Sequence, residues 1–427
     1  MRGAMMGFDI GNTNIKCIVL DAVGNVLGLS KMPSRIRKTT ACGLGHFDGH
    51  ALMDAIEALC SDALAQTGGA QIKGLAVAGM GSAGLLLCEN GNIIPPPILE
   101  GFFDPMPGLA DDEYFRTCGY PKTYQNGGVY LAKLSRQRPD LFAAVRACVS
   151  ISDYVAYRLT NALARDISTA GSFSLVDINT GGNWTAFLEK NRISESILPP
   201  IVQSGAFIGE VQKNACLPPG TPVFAGGHDY LCAAFAAGCI NEGDAINVLG
   251  TYEMMACFYA KPKMPPQNSG ILSFMDSHVY PGLFACTTES ECGSSINRAL
   301  ALGEKSGISS AGMFKALDEN GDESSELARA IIKINKTSQS MLKVHKEASG
   351  RGDLRIRVVG GGSKSRYYMQ NKSDIMGAAL YVPTIPEATA AGAALLAGYG
   401  CGIFRSYDEA SQLLERQKGT MFFPSQT

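Results

Sequence analysis

Twice in this chain an apolar run meets a short glycine turn and continues as a second apolar run. The first case is FDIGNTNIKC at 8–17, and the second is NVLGTYEMMAC at 247–257. Each reads as a β-hairpin, closed by Gly11-Asn12-Thr13-Asn14 in one case and Gly250-Thr251 in the other. Two look-alike hairpins in separate halves imply that the chain begins its fold twice. The length of 427 residues agrees, because a single core rarely grows that large. The division is expected near Gly238–Gly243, giving domains 1–240 and 241–427.

The first hairpin continues into a third short strand over 26–29. Leu52, Ile56, Leu59 and Ala63 then fall at helical spacing over 49–67, with Asp48 placed to cap the start and Gly68 to end it. Short buried strands are expected at 75–78, 148–151 and 223–225. IIPPPI at 93–98 cannot be helical, and the stretch from there to about 127 reads as irregular. In the second half, 311–349 is charged and helical, 355–359 is a strand feeding three glycines, and 387–397 is a small-residue helix able to approach a neighbour closely. Helices alternate with strands, so the class is α/β.

Composition excludes several functions. Net charge is −2 at 18% charged residues, which gives no electrostatic case for nucleic acid or an anionic membrane. No apolar run approaches the ~20 residues needed to span a bilayer, and the N-terminus does not read as a signal peptide. Thirteen cysteines occur without a C-x-x-C pair and with only five histidines, which suits buried thiols in a reducing cytoplasm.

The glycine turns carry the chemistry. A phosphate held by neutral backbone needs inward N–H groups and no Cβ in the way, and Thr adds a hydroxyl donor. Gly11, Asn12, Thr13 and Asn14 meet that need, and Lys16 adds charge. Gly250 and Thr251 meet it again. Asp9, just before the first turn, suits Mg²⁺ because hard cations prefer carboxylate oxygen. Neither turn has the Gly-Lys-Ser/Thr of a Walker motif or a following helix in G-x-G-x-x-G spacing. Gly361, Gly362 and Ser363 end a strand, where a flat base or ribose can lie against bare backbone. Taken singly, each turn also reads as a bend that needs glycine for positive φ.

AGGHDY at 225–230 places Asp229 after a strand and before an apolar helix. One role for it is an N-cap. Another is a base: in a loose phosphoryl-transfer transition state the acceptor hydroxyl loses its proton late, so an ionised carboxylate can orient it and then take the proton. His228, adjacent, is placed to contact substrate.

These blocks, in this order, resemble the FGGY family of carbohydrate kinases within the sugar kinase/Hsp70/actin superfamily. FDIGNTNIK resembles the family's first phosphate motif and NVLGTYE the second. DYVAYRLTNALARDISTAG at 153–171 resembles its D-Y-x-x-x-x-L-T-G block, and TPVFAGGHDYLCAAFAAG at 221–238 the G-G-x-D segment with the catalytic Asp. VVGGGSKSRYYMQNKSDIMG followed by PEATAAGAALLAGYG at 386–400 resembles the adenosine block and the helix after it. The resemblance implies two RNase H-like (actin-like ATPase) domains around a central cleft, ATP with Mg²⁺ as cofactors, and a sugar or polyol as substrate. It implies Asp229 as base, Gln370 and Asp374 in a helix supporting the adenosine loop, and sugar-contacting segments at Met80-Gly81-Ser82 and around Glu100 and Asp104. Those two segments depart from the family's usual Gln-Met-His-Gly and Trp-x-Asp-x-Arg, so the pocket is not of the xylulose type. The altered pocket leaves open a second reading, a regulator that senses nucleotide and sugar without transferring phosphate. A homodimer is left open as well.

Overall fold

The strand GAMMGFDI has no solvent-facing side, so it must lie inside a sheet covered on both faces. In the computed structural model, which describes residues 3–39, 45–81, 84–97, 99–100, 110–122, 127–212, 216–266, 269–305, 307–416 and 418–425, it does. β1 (Gly3–Ile10), β2 (Asn14–Asp21) and β3 (Val26–Pro33) form an antiparallel meander. β4 (Gln71–Gly79) lies parallel to β1, β5 (Phe207–Glu210) is an edge, and β6 (Pro222–His228) is parallel to β4. The order is β5-β6-β4-β1-β2-β3.

The second sheet repeats that plan. β7 (Asp244–Leu249) and β8 (Tyr252–Tyr259) are its hairpin, with β9 (Leu272–Ser277) and β10 (Phe284–Glu291) on one side. β11 (Arg355–Gly360) and β12 (Leu380–Val382) run parallel on the other, closed by β13 (Thr420–Phe422). The order is β9-β10-β8-β7-β11-β12-β13. Within it, β10-β8-β7-β11-β12 has the directions of β3-β2-β1-β4-β6. The duplicated RNase H-like plan is therefore present in both sheets.

Among the described helices that pack the fold are α1 (Gly49–Ala65), α2 (Asp229–Ala236), α3 (Glu326–Ser349), α4 (Arg366–Met376) and α5 (Ala388–Gly400). Leu52, Ile56, Leu59 and Ala63 bury one face of α1, and Asp48 caps it by accepting from the His50 and Ala51 amides. α5 lies against β1 because its residues are small. A Cβ at Gly7 would fall 2.0 Å from the Ala390 carbonyl, and one at Gly392 would fall 1.9 Å from the Cys232 carbonyl.

The chain divides into two compact units: Met1–Gly238 with Met275–Leu283 and Pro386–Leu414, and Cys239–Phe274 with Phe284–Ile385 and Glu415–Thr427. A single cut at 240/241 does not describe this partition, since α5, late in sequence, is the cover of β1. Two other expectations change. Asp111–Cys118, in the stretch expected to be irregular, is helical, started by Asp111, Asp112 and Glu113 and ended by Gly119 at φ +80°. The charged region 311–349 is two helices, Ser310–Asn320 and α3, separated by Gly321 in the left-handed region and capped anew by Ser325.

Candidate active site

In the first unit the site is built at strand ends. β1 and β2 pair so that Asp9 faces Lys16 across the ladder, two rungs below the Gly11–Asn14 turn. Lys16 Nζ donates to Asp9 Oδ2 at 2.9 Å and lies 2.9 Å from Glu387 Oε2. Glu387 precedes α5 at φ +43°, a conformation that costs a non-glycine residue energy. Burial pushes the Asp9 carboxyl up to about 6 against the pull of Lys16, and the negative charges of Asp229 and Glu387 add to the rise. Burial alone would lower the Lys16 ammonium, but Asp9 and then Glu387 reverse that and hold it above its ordinary value.

Asp229 is delivered by a bulge. Gly226 and Gly227 interrupt the β6–β4 register, with Gly227 at φ +138° and a Gly226 Cβ only 2.1 Å from the Val77 carbonyl. His228 is the N-cap of α2 and Asp229 its first residue, so the capping role for Asp229 is not the one observed. Asp229 Oδ1 instead accepts from the Tyr230 amide at 2.7 Å and from His228 Nδ1 at 2.7 Å. A carboxylate only accepts, so Nδ1 carries the proton. The Asp229 side chain keeps 30% exposure while the His228 ring is buried. Cys232, one turn along α2, has its thiol pushed well up by burial, and the negative charges of Asp166, Asp229 and Asp9 add to the rise.

The support behind Asp229 comes from residues distant in the sequence. The His228 amide donates to Ser168 Oγ at 2.9 Å, and Ser168 in turn donates to Asp166 Oδ1. Asp166 also accepts from Ser204 Oγ at 2.6 Å, and burial pushes its carboxyl up to about 7. Tyr230 stands edge-on to His228 and donates to Asp276 Oδ2 at 2.8 Å, while Tyr120 donates to Oδ1 at 2.7 Å. The D-I-S-T-A block contained Asp166 and Ser168, and the E-A block contained Glu387, but only the fold gives them these partners.

The expected substrate residues fare unevenly. A Cβ at Gly81 would lie 2.0 Å from His228 Nε2, so the 80–81 loop rests on that ring, with Met80 half-buried beside it. His228 is thus engaged on both ring edges and orients Asp229. Glu100 is exposed, its backbone clasped by the Gln137 side-chain amide at 2.7 and 2.8 Å. Ser82 and Asp104 lie outside the described residues.

The second unit holds the other turns. Gly250 N donates to the Tyr252 carbonyl, and Gly293 N to the Thr251 carbonyl at 2.8 Å. Leu249 pairs with Gly360, and its side chain lies beside Gly362, so both glycine loops meet at neighbouring strand ends. Ser363 Oγ donates to the Gly360 carbonyl at 2.8 Å, and Gln370 bonds Asp374 on α4. The backbone explanation for the glycines fails at three positions. Gly11, Gly250 and Gly361 are not in the left-handed region. A Cβ at Gly361 would meet nothing within 4 Å, and one at Gly250 only the Tyr252 carbonyl at 3.5 Å.

Family models add an independent observation. Residues 107–236 match the N-terminal domain of the FGGY family of carbohydrate kinases, and residues 261–401 match its C-terminal domain. Together they span well over half of the chain. The chain belongs to the FGGY family of carbohydrate kinases. L-fuculokinase of Escherichia coli strain K12 is 23% identical over 449 residues, covering 96% of this chain and 95% of that protein. Autoinducer-2 kinase of the same strain is 26% identical over 350 residues, covering 67% of this chain and 63% of that one. Among solved structures, xylulose kinase from Rhodospirillum rubrum matches with TM-score 0.82 at 21% identity, covering 99% of this chain and 94% of that one. Plasmodium falciparum glycerol kinase with ADP matches with TM-score 0.84 at 18% identity and the same coverages. The fold of this FGGY kinase is thus the sugar-kinase, actin-like one. Its family match begins after the β1–β2 hairpin, so the roles of Asp9 and Lys16 rest on geometry.

Proposed function

We propose that this kinase transfers the γ-phosphoryl group of ATP to a hydroxyl of a small sugar or polyol, with Asp229 as the base. Asp229 is the acidic side chain presented at the start of α2 with partial exposure, backed by His228 and Tyr230. It orients the acceptor hydroxyl and takes its proton as the bond to phosphorus forms. Gly11–Asn14 and Lys16 would meet phosphate in the first unit. Gly250 and Thr251 would meet phosphate in the second, and Gly361, Gly362 and Ser363 would face adenosine there.

Mg²⁺ would be held through Asp9. Among the described residues no three acidic, His or Cys side chains form a metal site. The single Asp9 carboxylate suits Mg²⁺, which needs only one or two carboxylates when phosphate oxygens and water complete its shell. When bound it would neutralise charge on the transferring phosphates. The described cysteines are free thiols, and among the described residues no helix is long and apolar enough to cross a membrane. The free thiols support a cytoplasmic enzyme.

The observation that carries the reading is the pair of glycines, Gly250 and Gly361, which neither φ nor packing requires. They leave backbone bare where a ligand can approach. The test is a coupled assay of pentoses, ketoses, hexuronate-derived sugars and polyols with Mg-ATP. Sugar-dependent ADP formation that is lost in Asp229→Asn is expected. ADP formation indifferent to every acceptor in the panel would overturn it.

A further inference from the structure

Behind the two nucleotide loops lies a polar knot that touches no solvent. Lys372 on α4 and Glu253 on β8 have fully buried side chains, with Nζ 2.6 Å from Glu253 Oε1. Lys372 also donates to Ser338 Oγ at 2.6 Å and reaches Asn335 Oδ1 at 3.5 Å, both on α3. Glu253 Oε1 accepts from Asn247 Nδ2 at 2.9 Å, and Ser338 Oγ lies 2.7 and 2.9 Å from the two carboxylate oxygens.

The placement of these residues is specific. Asn247 lies on β7 three residues before Gly250, and Glu253 lies on β8 two residues after Thr251, so the knot grips both arms of the turn. Lys372 lies on α4, the helix that follows Gly361–Lys364 after a single residue, Ser365. One buried cluster therefore fastens the Gly250-Thr251 turn to the helix carrying the Gly361–Ser363 loop. An ion pair so deep gives little net stability compared with apolar side chains of the same volume. What it adds is direction: hydrogen bonds fix one register between strand and helix, where apolar contacts would tolerate sliding.

We infer that Glu253 and Lys372 are positioning residues for the nucleotide, holding the phosphate turn and the adenosine loop at one fixed separation. This rests on the reading that these loops bind ATP. Neither residue reaches a ligand, so their effect runs through the backbone they hold.

The experiment measures Mg-ATP binding by titration calorimetry on the full chain, without sugar, beside thermal melting. The double variant Glu253→Gln with Lys372→Met leaves no stranded charge. It is expected to melt near the wild type but to bind Mg-ATP about tenfold more weakly or worse, because small displacements of binding groups are amplified. Ser338→Ala keeps both charges and removes the hydroxyl between them. Its expected loss of affinity is about twofold to tenfold, the value of one hydrogen bond. A folded double variant with wild-type affinity overturns the inference alone. If the double variant does not fold, Ser338→Ala decides, and unchanged affinity overturns the inference. Wild-type chain that binds no Mg-ATP overturns the nucleotide reading and the inference with it.

Discussion

The two hairpins share a topology and differ in what they present. Counting down from the turn, β1–β2 has Ile10 opposite Ile15 and then Asp9 opposite Lys16. β7–β8 has Leu249 opposite Glu253 and then Val248 opposite Met254. In the first, an ion pair sits beneath the turn and is shared with Glu387. In the second, the charge is turned inward and neutralised by Lys372. What remains at the second turn is backbone, together with the exposed Thr251. The two hairpins thus share one frame, and their side chains make the surroundings of one turn charged and those of the other neutral.

The largest expected effect belongs to the unit that holds the charges. Asp229→Asn should lower kcat by about 10²–10⁴-fold, the range for loss of a positioned base, while calorimetric Mg-ATP binding persists. Equal loss of ATP binding would make Asp229 a structural residue. Next, Lys16→Met should lower kcat/KM by about 10²-fold through lost charge stabilisation. Thr251→Ala should cost no more than about tenfold, one hydroxyl donor. If the two variants lose equally, the contrast between charged and neutral hairpins is wrong.

The contrast also has a pH dependence. Burial raises Asp9 from 3.8 to about 6, so the folded chain binds this proton more tightly than the unfolded chain. The stability this adds is complete below 3.8 and is withdrawn as pH rises through about 6. Activity runs the other way, because the ionised form is the one that pairs with Lys16 and would hold metal. Activity should therefore fall as pH drops through about 6 without this group lowering the melting temperature. Thr251→Ala should keep that acidic limb, and Asp9→Asn should lack it.

Much of this was legible in the sequence because it is local. Hairpin turns, the α1 stripe and its Asp48 cap, and the small residues of α5 are set by neighbours within a few positions. Asp229 was legible as a carboxylate between a strand and an apolar helix. What was not legible depends on residues brought together from afar. Glu387 reaches Lys16, Asp276 receives Tyr120 and Tyr230, and Ser168 receives the His228 amide. No periodicity encodes such pairs. The burial of the His228 ring beside Gly81 was not legible either. The glycines were half legible: their presence at loop tips was plain, but whether φ demanded them was not.

That last point gives the smallest and sharpest prediction. Gly360 and Gly361 are adjacent, yet the structure needs only one of them. Gly360 has φ +101°, and a Cβ there would lie 2.4 Å from the Leu249 carbonyl, inside the β7–β11 pairing. Gly360→Ala should therefore destabilise the second unit by about 1–3 kcal/mol, seen as a lower melting temperature. Gly361 has neither constraint, and an added methyl would point into open space. Gly361→Ala should leave stability unchanged within about 0.5 kcal/mol, as surface substitutions do. Its Mg-ATP affinity should nevertheless fall several-fold if adenosine lies on that backbone, since the methyl would occupy the ligand's place. A Gly361→Ala protein with wild-type affinity would mean that the bare surface faces water only, and the assignment of the adenosine loop would go with it.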